Sequence, residues 1–197
     1  MKNMKAKIAT LKEKCKETKL IGFSNDGDGD RFAVIDEDGN FVTANEVITI
    51  LLKHLKEHKK YRGKLVKTVA GSLMLDLYAQ KHNIEVVETP VGFKWVGKAM
   101  RENDIIIGGE ESGGLSIKGH IPEKDGILAN LLILEAVATS KKTLVQLRQE
   151  IKDELGCGFI NKRNDAKLES DELVKKAMVQ LEKAEKIGRN KIVRKNK

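Results

Sequence analysis

Asp26, Asp28 and Asp30 stand at alternate positions in the segment Asn25-Asp26-Gly27-Asp28-Gly29-Asp30-Arg31. Carboxylates spaced this way meet on one hard cation only if the backbone bends sharply, and Gly27 and Gly29 permit that bend. Without a cation the charges repel one another, so a turn serving the chain alone gains nothing from them. Arg31 follows directly and offers a planar fork for phosphate. The chemistry these residue types suit is cation-assisted handling of a phosphate group. The plainer alternative, a solvated Asp/Gly turn, needs neither the full set of acids nor the arginine.

Two other metal chemistries begin with similar letters. An EF-hand loop also opens Asp-x-Asp-x-Asp, and Glu37 falls on its last ligand position. Its obligatory glycine, however, is here Arg31, and the flanks read as strands. Asp26 to Gly29 also fits the Asp-x-Asp-Gly of a haloacid-dehalogenase-type phosphatase, with Asp26 as nucleophile and Asp28 as acid/base. That alternative leaves Asp30 and Arg31 unexplained. His54-Leu55-Lys56-Glu57-His58 matches an inverted zinc-protease pattern, but lysines surround it and no third ligand is apparent, so a solvated helix face is expected. Gly71-Ser72 is expected to be a simple helix cap, and His82 and His120 are lone histidines, the latter near a Gly-rich loop.

The elements that must position these residues alternate along the chain. Residues 4–17 read as a basic helix with Ile8 and Leu11 inward. Leu20 to Ser24 and Phe32 to Ile35 read as a hairpin around the acidic loop, ended by the Asp38-Gly39 turn. Thr43 to His58 is an amphipathic helix with Val47, Ile48, Leu51, Leu52 and Leu55 as its apolar stripe. Further strands are expected at Leu65 to Val69, Glu85 to Thr89, Ile105 to Ile107 and Leu115 to Ile117. Helices are expected at Ser72 to His82 and Phe93 to Arg101. Ile127 to Ala138 is apolar nearly all round, which predicts a buried helix. Thr143 and Gln146 form a capping-box pattern for a helix ending at Gly156. An extended connector at Phe159 to Leu168 would lead to a last amphipathic helix capped by Ser170, with Leu173, Ala177, Met178, Leu181 and Ala184 inward. Strands alternating with helices predict an α/β fold, a mixed or parallel sheet flanked by helices.

Four segments in order resemble the alpha-D-phosphohexomutases, the phosphoglucomutase/phosphomannomutase superfamily. Asp26 to Arg31 spells that family's metal loop. Thr89-Pro90-Val91-Gly92-Phe93-Lys94 is similar to its TPxGFK segment. Gly109-Glu110-Glu111-Ser112-Gly113-Gly114 is similar to its sugar-binding loop, and Glu123-Lys124-Asp125-Gly126 matches a fourth segment. The matches run from about residue 20 to residue 138. The resemblance implies that Asp26, Asp28 and Asp30 bind Mg²⁺ together with a phosphoserine from elsewhere in the enzyme. It implies that Arg31 contacts the transferring phosphate and that Lys94 assists proton or charge transfer. Glu110 and Ser112 would read sugar hydroxyls, with Gly92 and Lys124 also at the substrate. The implied substrates are glucose or mannose 1- and 6-phosphates, with a bisphosphate intermediate, glucose expected first, mannose next and glucosamine last. The implied domains are residues 1–40 as the end of domain 2, residues 41–145 as domain 3, and residues 146–197 as a connector toward domain 4. The family often carries an aromatic residue or His where Gly113-Gly114 stands, and some members carry Arg where Pro122 stands. Its phosphoserine segment Ser-His-Asn-Pro and its phosphate-gripping Arg-Pro-Ser-Gly-Thr do not occur here; the only prolines are Pro90 and Pro122. The chain is therefore expected to be a fragment, inactive without domains 1 and 4.

Composition narrows the remaining classes. The formal charge is +8, which suits anionic partners, phosphorylated metabolites as well as nucleic acid. A nucleic-acid module would interleave aromatic residues with its basic ones, and aromatics make up only 4% of the chain, so no nucleic-acid partner is expected. No apolar run reaches the ~18 residues of a membrane span. Cys15 and Cys157 form no metal or redox spacing, and a reduced, cytoplasmic setting is expected.

Overall fold

The computed structural model describes residues 2–157, together with Glu172 and Val179. It divides into two units, Met1–Gly158 and Phe159–Lys197. In the second unit the described residues, Glu172 and Val179, are helical. The predicted connector at Phe159 to Leu168 and the inward stripe of the last helix lie outside the described residues, as does the side chain of Ile8.

In the first unit, helix α1 (Lys2–Thr18) leads into strands β1 (Gly22–Asn25), β2 (Phe32–Ile35) and β3 (Phe41–Val42). These form an antiparallel sheet in that order, with Gly22 opposite Ile35 and Asn25 opposite Phe32. The hairpin around the acidic loop is thus present. Its first strand starts two residues later than predicted, because Lys19 takes a left-handed turn (φ 54°) out of α1 and leaves Leu20 exposed in the link. The short β3 has no counterpart among the predicted strands: two residues carry too little periodicity to register.

The second sheet has the order β5-β4-β6-β7, with β4 (Lys64–Thr68), β5 (Val86–Thr89), β6 (Ile105–Gly109) and β7 (Leu115–Ile117). The first three run parallel and β7 antiparallel to β6, so the sheet is mixed, as expected. Parallel strands need cover on both faces. Helix α4 (Phe93–Glu102) covers one face with Phe93, Val96 and Ala99 against Val66 and Ile105. On the other, Lys67 is fully buried and pairs with Asp76 of helix α3 (Leu73–Lys81) at 2.6 Å and with Glu88 of β5 at 3.2 Å. Helix α2 (Ala44–Glu57) also packs on the sheet, and α3, α5 (Gly126–Ser140) and α6 (Leu144–Leu155) pack on α2. Both α2 and α6 begin in complete capping boxes, Thr43 with Glu46 and Thr143 with Gln146. Among the described residues no helix is long and apolar enough to cross a membrane.

Helix α6 anchors the hairpin to this layer. Glu37, just after β2, accepts from the backbone N–H groups of Leu144 and Val145 at the start of α6 (2.9 and 3.2 Å). Arg148 of α6 donates to Asp36, which is fully buried, and to Glu46 of α2 (3.0 and 2.8 Å). One arginine therefore ties the hairpin, α2 and α6 together.

The structure corrects two expectations. Helix α5 is not buried all round: Ile127, Leu131 and Leu134 are 58%, 58% and 45% exposed. Its inner residues face β1, β2, β7 and α2, and the stripe left outside is as apolar as the one inside. His54 is not on a solvated face. It is 4% exposed, and neither ring nitrogen has a hydrogen bond. Glu135 lies 3.4 Å from Nε2, close enough for a charge interaction only. No third ligand joins His54 and His58: among the described residues the only cluster arranged to hold a metal is the aspartate loop.

Burial pushes the His54 imidazole below its ordinary 6.5, with Glu135 opposing but not cancelling the effect. The unfolded chain then takes up this proton first as pH falls, so stability present above 6.5 is lost below it. The unfolding free energy, followed by urea denaturation, should decline from pH 6.5 toward pH 5. His54→Leu should make that decline shallower.

Candidate active site

The acidic loop forms the tip of the β1–β2 hairpin. Gly29 turns left-handed (φ 74°), and its N–H bonds the Asp26 carbonyl at 3.3 Å, which folds the loop inward. One carboxylate oxygen each from Asp26, Asp28 and Asp30 then lie within 4.8 Å of one another. Asp30 Oδ1 is buried without a hydrogen-bond partner, with Arg31 Nε 3.6 Å away. Converging hard oxygens and an orphaned buried acceptor fit a small divalent cation.

Two cations flank the loop. Arg31 folds back on Asp26, which accepts from its backbone N–H at 3.1 Å and from Nε. Partial burial pushes the Asp26 carboxyl up, but these hydrogen bonds outweigh it and hold the group below its usual range. The Arg31 guanidinium stays half-exposed. Lys124 reaches in from the other side and pairs with Asp30, and this hydrogen bond raises the Lys124 pKa against the opposing effect of burial. Its path is open because residue 114 is glycine: a Cβ there would stand 2.5 Å from Lys124 Cδ.

The Glu110–Gly114 loop follows β6 and closes on itself, Glu110 N–H to the Gly114 carbonyl (2.9 Å) and Gly113 N–H to the Glu110 carbonyl (3.2 Å). It docks on the acidic hairpin through Phe32 N–H to the Gly113 carbonyl (3.0 Å). Gly113 must be glycine here, with φ 95° and the Phe32 carbonyl 2.8 Å from where a Cβ would stand. Ser112 is exposed and shares a cleft of about 170 Å³ with Asp26 and Arg31. The buried Glu110 accepts from Gly92 N–H at 2.8 Å, which joins the loop after β5 to the loop after β6. Lys94 is exposed, its ammonium 5.0 Å from the centre of the Trp95 ring. No described contact links it to the acidic loop.

Asp26, Asp28, Asp30, Arg31, Ser112 and Lys124 are thus together, and Glu110 is joined to Gly92. Lys94 lies at the same end of the sheet but points onto Trp95. The structure adds residues that the sequence motifs do not single out. Asn130 Nδ2 donates to Asn25 Oδ1 (3.0 Å), and Asn25 Nδ2 donates to the Arg31 carbonyl (3.0 Å), which bridges α5 to both ends of the acidic loop. A buried asparagine within an apolar helix was the available signal. His120 contacts Asp125 (3.1 Å), and Asp125 caps α5 by accepting from Leu128 N–H (2.8 Å). Thr68 donates to Glu111 (3.1 Å). Ser72 caps α3, its hydroxyl accepting from Met74 N–H at 3.2 Å, as expected.

A mixed sheet with helices on both faces, its loops gathered beside an acidic hairpin, makes this an α/β domain. The family model for the phosphoglucomutase/phosphomannomutase alpha/beta/alpha domain III matches residues 43–154. The chain belongs to this family, the alpha-D-phosphohexomutases. It is 34% identical to the phosphoglucosamine mutase of Carboxydothermus hydrogenoformans over 73% of this chain and 32% of that protein. It is 41% identical to that of Desulfotalea psychrophila over 66% of this chain and 29% of that protein. Among solved structures, a protein of Thermus thermophilus assigned as a phosphomannomutase aligns with a TM-score of 0.71 at 37% identity, covering 79% of this chain and 35% of that one. An N-acetylphosphoglucosamine mutase of Aspergillus fumigatus, solved with GlcNAc-6P and magnesium, shares the fold at 17% identity (TM-score 0.52, 66% of this chain and 34% of that one). The chain spans about a third of the length of the curated relatives it matches.

Gly126 is where helix α5 meets the acidic loop, and a Cβ there would stand 2.5 Å from the Arg31 carbonyl carbon and oxygen. Gly126→Ala should lower the unfolding free energy by about 1–3 kcal/mol. Urea denaturation of the two proteins side by side measures this.

Proposed function

We propose that this chain is the metal- and sugar-binding part of a phosphohexomutase, an enzyme that exchanges hexose 1-phosphate and hexose 6-phosphate through a phosphoserine and a bisphosphorylated sugar. One observation carries the reading: converging aspartates flanked by Arg31 are docked, backbone to backbone, on the Glu110–Gly114 loop. In this reading a cation site and a set of polar sugar-reading groups stand against each other.

In this reading Asp26, Asp28 and Asp30 hold Mg²⁺, whose preference for hard oxygen donors they meet. When bound, the cation neutralises charge that develops on the transferring phosphoryl group. Arg31 provides a fork for the same phosphate once it leaves Asp26. Ser112 offers a hydroxyl at the edge of the Asp26–Arg31 cleft, and Glu110 sets the loop and reads a sugar hydroxyl. Gly92 gives the backbone its close approach, and Lys94, released from Trp95, assists charge transfer near the reacting hydroxyl. Lys124, paired with Asp30, would stand beside a cation held by the aspartates and would bind the substrate phosphate there.

Residues 1–40 would then close a second domain, residues 41–145 form a third, and residues 146–197 lead toward a fourth. The phosphoserine and the distal phosphate grip would come from domains 1 and 4, whose signature segments this sequence lacks. On this account the chain alone has no mutase turnover. The sugar is a hexose, and because the curated relatives are phosphoglucosamine mutases, glucosamine phosphate stands first among the candidates, ahead of glucose and mannose. A nucleic-acid partner has no place in this reading, and a cytoplasmic setting goes with it.

Isothermal titration of Mg²⁺, with and without glucose 1,6-bisphosphate, tests the proposal. Asp28→Asn should weaken Mg²⁺ binding by about tenfold or more and weaken bisphosphate binding with it. Unchanged Mg²⁺ affinity in that variant would sink the assignment of the aspartates. Trapping of Asp26 by beryllium fluoride with Mg²⁺ would favour the phosphatase alternative. Separately, no glucosamine 6-phosphate should form from the 1-phosphate with the pure chain, and measurable turnover would overturn the fragment reading.

A further inference from the structure

The loops just described follow the C-terminal ends of β5 and β6. A second cleft lies at the opposite end of the same sheet. Its lining comes from the end of α2, the residues just before β4 and β5, and the start of β6. It encloses about 530 Å³, within the ~300–1,000 Å³ of small-molecule sites.

Its chemistry is one-sided. Lys56, Lys60 and Arg62 line it, together with Tyr61, Ile84 and Ile106, and no carboxylate does. The cations are not spent on acids. Lys56 Nζ donates to the His82 carbonyl (2.7 Å) and Lys60 Nζ to the Glu57 carbonyl (2.6 Å), so each ammonium keeps two further donors and its full charge. Arg62 is exposed and its guanidinium has no partner among the described residues. The acids nearby are engaged elsewhere: Glu85 with Lys64 (2.6 Å), Asp104 with Lys118, and Glu154 with His82 and Lys53. Ile84 and Ile106 are buried and form an apolar floor, while half-buried Tyr61 presents a ring beside the cations.

Clustered unpaired cations attract one another's counter-ions, and a single ligand with several negative charges satisfies them with less ordering than separate ions would. An apolar floor beside an aromatic ring suits a flat, partly apolar body attached to those charges. We propose that this cleft, formed by Lys56, Lys60, Arg62 and Tyr61, is a binding site for a nucleoside di- or triphosphate, separate from the aspartate loop. The phosphates lie against Lys60 and Arg62 and the base against Tyr61. No covalent step is involved.

Isothermal titration of ADP into the full chain, in Mg²⁺-free buffer of low ionic strength, tests the site. One equivalent of ADP should bind, with affinity falling as salt rises. The paired change Lys60→Asn and Arg62→Gln removes both exposed charges, and asparagine tolerates the left-handed backbone of residue 60 (φ 57°). This variant should keep its melting temperature and lose at least about tenfold in ADP affinity. Tyr61→Ala should weaken ADP severalfold and leave tripolyphosphate unchanged, whereas Asp28→Asn should leave ADP binding as it was. Absence of saturable ADP binding, or equal affinity in the Lys60/Arg62 variant, overturns the site. Tripolyphosphate binding as tightly as ADP overturns the nucleotide assignment. Loss of ADP binding in Asp28→Asn assigns the phosphates to the aspartate loop and overturns the proposal as well.

Discussion

The site depends on a close backbone approach at the start of helix α5. Gly126 N–H donates to the Gly29 carbonyl at 3.0 Å, and its α-carbon lies so near the Arg31 carbonyl that no side chain fits. Next to it, Asp125 N–H bonds the Leu115 carbonyl of β7 (3.1 Å). Two consecutive residues thus pin the acidic hairpin on one side and the large sheet on the other. Asn130, a turn further along, adds its side-chain bond to Asn25. Backbone bonds carry no rotamer freedom, so this seam fixes the loop more tightly than surface ion pairs could.

Given that seam, the electrostatics of the loop follow. Three carboxylates are forced together, and two cations from different directions offset them: Arg31 from the loop itself and Lys124 from the segment before α5. The arrangement is incomplete, because Asp30 Oδ1 stays buried without a hydrogen bond. A buried acceptor without a donor raises the free energy of the fold, a cost that a ligand meeting this oxygen would offset. Gly114 contributes by omission. A larger residue would close the route Lys124 takes, so the glycine and the lysine form one feature.

The large sheet divides the labour by strand direction. Loops after β5 and β6 are short and cross-bonded, Glu110 to Gly92 and Glu111 to Thr68, which makes that end a rigid platform. This agrees with the general tendency of parallel sheets to place sites beyond the carboxyl ends of their strands. At the other end, Lys56 in the last turn of α2 and Lys60 just after it donate to carbonyls instead of carboxylates. The exposed apolar stripe of α5, by contrast, has no such polar chemistry and is a surface of shape alone.

Most of the element order was legible in the sequence, because amphipathic helices such as Ala44–Glu57 and strands such as Ile105–Gly109 carry their periodicity locally. The resemblance of the four segments likewise pointed to the family, because the residues that carry it stand in short contiguous runs. The length and apolarity of α5 were also legible, but not which of its faces stays exposed, since that depends on what happens to pack beside it. The burial of His54 was hidden by the lysines around it in sequence, which suggest a solvated face although its imidazole is turned inward. The pairing of Lys124 with Asp30 and of Glu110 with Gly92, and the close approach of Gly126 to the acidic loop, join residues far apart along the chain. Local residue types determine helices, strands and the chemistry a loop can offer. Only the tertiary structure decides which loops share a site, because that is set by close approaches whose steric terms no linear spacing records.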